Sequence, residues 1–178
     1  MTTPESTAPQ NHFTDADVAA ILRQHSWQTT DFSQQQSAWY QRAAALLGPQ
    51  SPDHAALENL LALIFHYDAR EILAQTDAHV TLSRYAAREA LRELAKQLLD
   101  PAPLTPDRFN VVIDAMKANL DIRGRELFHT IRLALAGRSG EGDLDRVILL
   151  LDEAAAANFS TPVKSARARI IEFCSALD

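Results

Sequence analysis

The stretch GRELFHTIRLALAGRSGEGDL, residues 124–144, decides how this chain is read. Leu127, Phe128, Ile131, Ala134 and Leu135 recur at helical spacing, which predicts an amphipathic helix over 125–137 with these side chains turned inward. Gly137 stands where a left-handed C-cap belongs, and Gly140 and Gly142 loosen the turn that follows. Asp143 is expected to cap the next helix, in which Leu144, Val147, Ile148 and Leu151 repeat at i, i+3, i+4, i+7. Arg125, His129 and Arg132 fall at i, i+4 and i+7, one stripe of a single sign. Like charges at this spacing destabilise a helix. The stripe therefore calls for an anionic partner, either internal acids such as Asp121, Glu126 or those of the N-terminal half, or an external phosphate.

The helical period extends outward in both directions. Thr14 is a cap for a helix with Val18, Ile21, Leu22 and His25 on one face. Ser33 and Gln36 have capping-box spacing ahead of Trp39, Ala43 and Leu46, and Gly48-Pro49 stops that helix. Leu57, Leu60, Leu61 and Ile64 line a helix that is apolar nearly all round at 60–65, hence central. Leu91, Leu94, Ala95 and Leu98 form the inner face of another, ending near Asp100-Pro101 in the break DPAPL. Thr105-Pro106 is an N-cap followed by proline at the first helical position, with Phe109, Val112, Ile113, Met116 and Leu120 behind it. Thr161-Pro162 repeats that signal before Val163, Ala166, Ile170, Phe173 and Leu177. No alternating strand pattern and no repeat of fixed period emerges. The expected fold is all-α, about eight helices in a bundle or cage. Residues 1–13 read as a disordered tail, 14–100 as a helical N-terminal region of open role, and 101–178 as a second helical region containing the opening stretch.

Charge sharpens the functional reading. The chain carries a formal charge of -6, yet 117–138 holds Lys117, Arg123, Arg125, Arg132 and Arg138 against only Asp121 and Glu126. An acidic whole argues against generic nucleic-acid coating, while a local basic patch still suits phosphates. The single cysteine, Cys174, allows neither an internal disulfide nor a cysteine-based zinc site, which suits a reducing cytoplasm. The longest apolar run, LLALIF at 60–65, is too short for a bilayer, and the N-terminus lacks a secretion signal.

Other constellations favour bland roles. None of His12, His25, His54, His66, His79 and His129 forms a His-Glu-x-x-His pair, and His66, Asp68 and Glu71 gather too loosely for a metal centre. No cofactor motif is found; the glycine-rich turn lacks the lysine and preceding strand of a P-loop. Cys174 reads as a buried small hydrophobe, and Trp27, Trp39, Tyr40 and Tyr67 as core aromatics. Arg88, Arg92 and Lys96 read as a solvated face paired with Glu89 and Glu93. Lys164, Arg167 and Arg169 oppose the dipole at the start of the last helix, which suggests a partner for them.

The run RELFHTIRLALAG resembles the C-terminal anticodon-binding domain of class I glutamyl-tRNA synthetases. That family carries a basic residue, then Leu-Phe, Pro-Leu-Arg and Ala-Leu-Thr-Gly, followed by a short loop and a leucine-bearing helix. Leu127, Phe128, Arg132, Ala134, Leu135 and Gly137 match. The resemblance covers 123–151 specifically and about 85–178 in element order; residues 1–80 contribute nothing to it. It implies that Arg132 and the loop positions Glu141, Gly142 and Leu144 help read an anticodon. Two positions depart from the family: Ala136 replaces a hydroxyl residue, and the loop has Glu141-Gly142 where proline is frequent. The catalytic HIGH-like and KMSKS-like elements do not occur, so the resemblance implies a free-standing relative that does not aminoacylate alone.

The reading that follows is a non-catalytic tRNA-binding module without cofactor, membrane or DNA partner. Arg123, Arg125, Arg138, Lys164 and Arg167 would grip phosphates of an anticodon stem-loop, and Arg132 would reach a base with His129 beside it. The alternatives are a protein-interaction scaffold of the same ancestry that has lost RNA binding, and a piece that docks onto a separate synthetase catalytic subunit. The surroundings of Arg132 separate the first two: open in a basic groove for RNA, closed by an intramolecular carboxylate for the scaffold.

Overall fold

A computed structural model describes residues 13–178; the tail expected over 1–13 lies, but for Phe13, outside the described residues. Every regular element among them is helical. Thr14 and Asp17 close a reciprocal capping box on α1 (Asp15–Gln24), and Ser33 and Gln36 do the same on α2 (Gln34–Leu47). Proline at position 49 then tightens the chain into a 3-10 turn over Gly48–Gln50. Asp53 caps α3 (His54–Phe65), which buries Leu57, Leu60, Leu61, Ile64 and Phe65. Two short helices, α4 (Ala69–Leu73) and α5 (Thr76–Leu82), lead to α6 (Ala87–Gln97). Thr105 caps α7 (Pro106–Asn119) with Pro106 at its first position. The opening stretch forms α8 (Arg125–Ala136) and runs into α9 (Asp143–Ile148); α10 (Leu151–Ala156) and α11 (Ala166–Leu177) complete the chain.

The all-helical expectation holds, with more and shorter helices than about eight; helices of five to seven residues span too few turns to show a period. Three boundaries differ from expectation. Asp143 is the first residue of α9 rather than its cap, which is Gly142. The apolar repeat through Leu151 is divided, because the chain turns at Leu149-Leu150 between α9 and α10. The last helix begins beyond Thr161-Pro162: Ser165 caps it, its hydroxyl accepting from the Ala168 N–H.

One buried cluster runs from Val18 of α1 to Phe173 of α11. Within it α8 is central, packed against α5, α6, α9 and α11, while α9 also meets α2 and α3. Trp39 donates its indole N–H to the Leu150 carbonyl at 3.1 Å and stacks edge-on against Phe65 and Phe159. Gln36 donates to the carbonyls of Ala157 and Asn158, and the Trp27 carbonyl accepts from Thr161 N–H. These bonds fasten 27–36 to 157–161. Trp39, Tyr40 and Tyr67 are core aromatics as expected, whereas Trp27 is half-buried, stacked between His25 and Phe65, and Cys174 is half-buried.

Candidate nucleic-acid interface

Two glycines set the ends of α8. Gly124 precedes it at φ 62, ψ -135, a backbone state closed to other residues, and Gly137 ends it at φ 83. A Cβ on Gly137 would lie 3.3 Å from Ile72 Cδ1, so α4 rests directly on this cap. With Leu127, Thr130, Ile131 and 133–136 buried, the polar stripe faces the α5–α6 turn and the 138–145 loop.

Arg132 is closed rather than open. Its Nε and Nη2 donate to Asp145 Oδ1 and Oδ2 at 2.8 and 3.0 Å, and Nη1 donates to the Gly140 carbonyl at 3.0 Å. Its guanidinium lies 5.1 Å from the Phe128 ring centre, and the side chain is 11% exposed. The hydrogen bonds it donates to Asp145, and the charge of that carboxylate, hold Arg132 more firmly protonated than usual. The internal acid is thus Asp145 of α9, not Asp121, Glu126 or an acid of the N-terminal half.

His129 sits next to a second arginine that the stripe does not contain. Arg84 Nη1 lies 3.3 Å from His129 Nδ1, so the guanidinium donates and the imidazole accepts in its neutral form. Burial first, then the charges of Arg84, Arg132 and Arg125, push the His129 pKa below its ordinary value; Glu141 opposes them. The nearby acid, Asp77, is already engaged: its oxygens accept from Ser139 N–H and Oγ at 3.1 and 2.6 Å. The Ser139 hydroxyl bond, partly offset by burial, lowers its pKa.

Arg123, Arg125 and Arg138 are exposed, and none of them lies within ion-pair distance of a carboxylate among the described residues. Arg138 borders a cleft of ≈ 240 Å³ whose rim includes His66, Glu71 and Gln75. Glu141 and Gly142 are exposed on the loop, and Leu144 is buried beneath it, its Cδ1 3.1 Å from where a Cβ on Gly140 would stand. The structure thus brings Arg125, His129, Arg132 and Glu141 together with Arg84. Lys164 and Arg167 engage other groups. Lys164 Nζ donates to the Tyr67 carbonyl and pairs with Glu172 at 2.7 Å, and Arg167 donates to the Leu99 carbonyl.

Arg169, read as one of three cations opposing a helix dipole, is fully buried. It donates to the carbonyls of Leu63 and Leu135 through Nη1, Ile64 through Nη2 and Lys164 through Nε. The first three are orphan carbonyls at the ends of α3 and α8, where helix dipoles place negative charge. Burial lowers its pKa to about 10, which leaves it charged at neutral pH. Among the described residues no ion pair within 4 Å joins Arg88, Arg92 or Lys96 to the glutamates of α6; Glu93 accepts from Gln97 and Asn119 instead, and Lys96 acts on it only at longer range.

Sequence reasoning missed Arg84, Tyr85, Asp77 and Asp145 as members of this region. Arg84 and Asp77 lie 45 and 62 residues from their partners, and no period links them. Tyr85 is 80% exposed, which its hydrophobic type does not announce. Asp145 alone had a usable signal: it lies one turn into the helix that follows the glycine-rich loop.

The central helix of this all-helical fold ends in a glycine-capped turn and gathers Arg125, His129 and Arg132 beside Arg84. The sequence profile described as "Anticodon binding domain" matches residues 15–156, and the chain belongs to that family. The match takes in the N-terminal half and stops short of α11. The glutamate–tRNA ligase of Bacillus subtilis (strain 168) is 26% identical over 127 residues, which is 71% of this chain and 26% of the ligase, so the chain spans about a quarter of that relative's length. No solved structure matches significantly. Among the described residues no helix is long and apolar enough to cross a membrane, and no three His, Cys, Asp or Glu side chains gather as a metal site.

Proposed function

We propose that the chain is a tRNA-binding module that grips an anticodon stem-loop without itself catalysing aminoacylation. The observation that carries this reading is the cluster of Arg84, Arg125 and His129, in which neither arginine has a carboxylate within ion-pair distance among the described residues and, of the nearby acids Asp77 and Glu141, Asp77 is turned to Ser139. A site whose guanidinium donors are not taken up by carboxylates can receive phosphates. Family membership and the likeness to a glutamate–tRNA ligase support glutamate tRNA as the first ligand to test. Arg132 shapes the loop by clamping Asp145 and Gly140, and Arg123, Arg125 and Arg138 supply phosphate contacts beside it.

The second reading, a protein-interaction scaffold that has lost RNA binding, is favoured by that same clamp: the residue expected to reach a base is closed by an internal carboxylate. Binding of the protein to glutamate tRNA and to an unrelated tRNA, across a salt series, decides between them. The module reading expects selective binding that weakens with salt, and a salt slope reduced by about one when Arg125 is replaced by alanine. Absence of binding, or weak binding equal for both tRNAs and indifferent to Arg125, overturns it and leaves the scaffold.

A further inference from the structure

We propose that Arg84 and Tyr85, on the turn between α5 and α6, form the opposite wall of the RNA site: Tyr85 stacks on an unpaired loop base and Arg84 holds an adjoining phosphate. This rests on the tRNA-binding reading and adds to it residues that lie outside the RELFHTIRLALAG motif.

Three independent observations carry it. Tyr85 is the most exposed of the large hydrophobic side chains, and no aromatic ring packs against it among the described residues. Nucleic-acid bases are flat, sequence-tolerant surfaces that stack on a free ring of this kind. Its backbone is held in a defined shape. The Ala87 N–H donates to the Arg84 carbonyl at 3.3 Å, which closes a tight turn with Tyr85 and Ala86 at its centre. Ala86 sits at φ 60, ψ 10, a left-handed state that disfavours a non-glycine residue by about 1–2 kcal/mol. A strained turn that projects a bare ring is a presented side chain rather than a slack loop.

The third observation is charge. Arg84 reaches across to His129 of α8, joining the turn to the cationic stripe, and among the described residues it has no carboxylate within ion-pair distance. The groups around His129 are Arg84, Arg125 and Arg132 on the cationic side, and Glu141 and Asp77 on the anionic side. Asp77 is held by Ser139 and Arg132 by Asp145, so Arg84 and Arg125 are the donors left for an incoming anion. Tyr85 and Arg84 are consecutive on this turn, an aromatic ring and a guanidinium without a carboxylate partner among the described residues, which suits a nucleotide with its base on one and its phosphate on the other.

The test uses the full chain and an RNA hairpin with the anticodon stem-loop of glutamate tRNA, 2-aminopurine replacing one loop base at a time. Tyr85→Ala should weaken binding roughly fivefold or more and abolish the quenching of at least one 2-aminopurine, while Tyr85→Phe keeps both. Arg84→Gln should weaken binding and lower the salt slope by about one. Since Tyr85 is at the surface, the thermal unfolding of its variants should match the parent. If the parent chain binds the hairpin and Tyr85→Ala binds equally with quenching intact, this proposal falls and the tRNA-binding reading stands. If the parent binds neither hairpin nor tRNA, both fall.

Discussion

Arg169 and Arg132 show how much a single arginine depends on its surroundings. Both read from sequence as cations facing outward, and both are anchored inward. Arg169 is the more deeply committed: among the described residues no carboxylate lies within ion-pair distance of it, and helix-end carbonyls meet its charge with their dipoles. Tyr67 supports the arrangement, its hydroxyl donating to the carbonyls of Ala134 and Arg169 while its ring lies 4.6 Å from the guanidinium. Burial pushes the Tyr67 hydroxyl above its ordinary range, so it stays a donor at any physiological pH. Arg169→Met keeps the volume and leaves these carbonyls unsatisfied. It should destabilise the protein by about 3 kcal/mol or more, measured as a fall in the urea midpoint at unchanged slope.

At the scale of the element, α8 is defined by its two glycines and by one histidine. Gly137→Ala must adopt φ 83 and press on Ile72, so it should cost about 1–2 kcal/mol in urea unfolding, and Ile72→Val in the same chain should recover part of that. His129 makes α8 sensitive to pH. Its pKa is depressed in the folded chain by burial and by Arg84, Arg132 and Arg125. The unfolded chain therefore binds the proton more readily, and stability present above the ordinary value of 6.5 is lost as pH falls through it. His129→Gln should flatten that part of the stability–pH curve. An NMR titration should show Arg84→Gln raising the His129 pKa; no change would mean the two side chains do not meet in solution.

For the whole molecule, the question is what makes a cage of short helices cohere. The family match ends at residue 156, yet α11 packs on α4, α6 and α8 and delivers Arg169, Ile170 and Phe173 to the interior. Removing residues 166–178 exposes the apolar surface those side chains cover, about 1.5–3 kcal/mol for each hydrophobic one, and strips the carbonyls of α3 and α8 of their donor. Set against a total stability of about 5–15 kcal/mol, that loss should replace the cooperative thermal transition by a broad one in circular dichroism. The same scale explains why α4 and α5 went unread. Helices of five and seven residues are not stable by themselves, so their sequence carries no stripe; they form because Ala69, Ile72, Ala78 and Thr81 find α8 and α11 already in place.

The sequence by itself determined the all-helical class, the cap at Thr14, the capping box at Ser33, the Thr105-Pro106 start and the glycine cap at Gly137. Each is decided within one turn of backbone by local hydrogen bonding and a 3.6-residue period. It also carried the family, because Leu127, Phe128, Arg132, Ala134, Leu135 and Gly137 stand together in one run. Only the tertiary structure decided what each charge faces. Period places Arg125, His129 and Arg132 on one stripe, but the distance from that stripe to Asp145, Arg84 or Asp77 depends on how α5, α6 and α9 pack against α8. Side chains tens of residues apart meet only when the core between them has closed. That is why Arg132 is clamped, Arg169 is buried and Tyr85 stands bare.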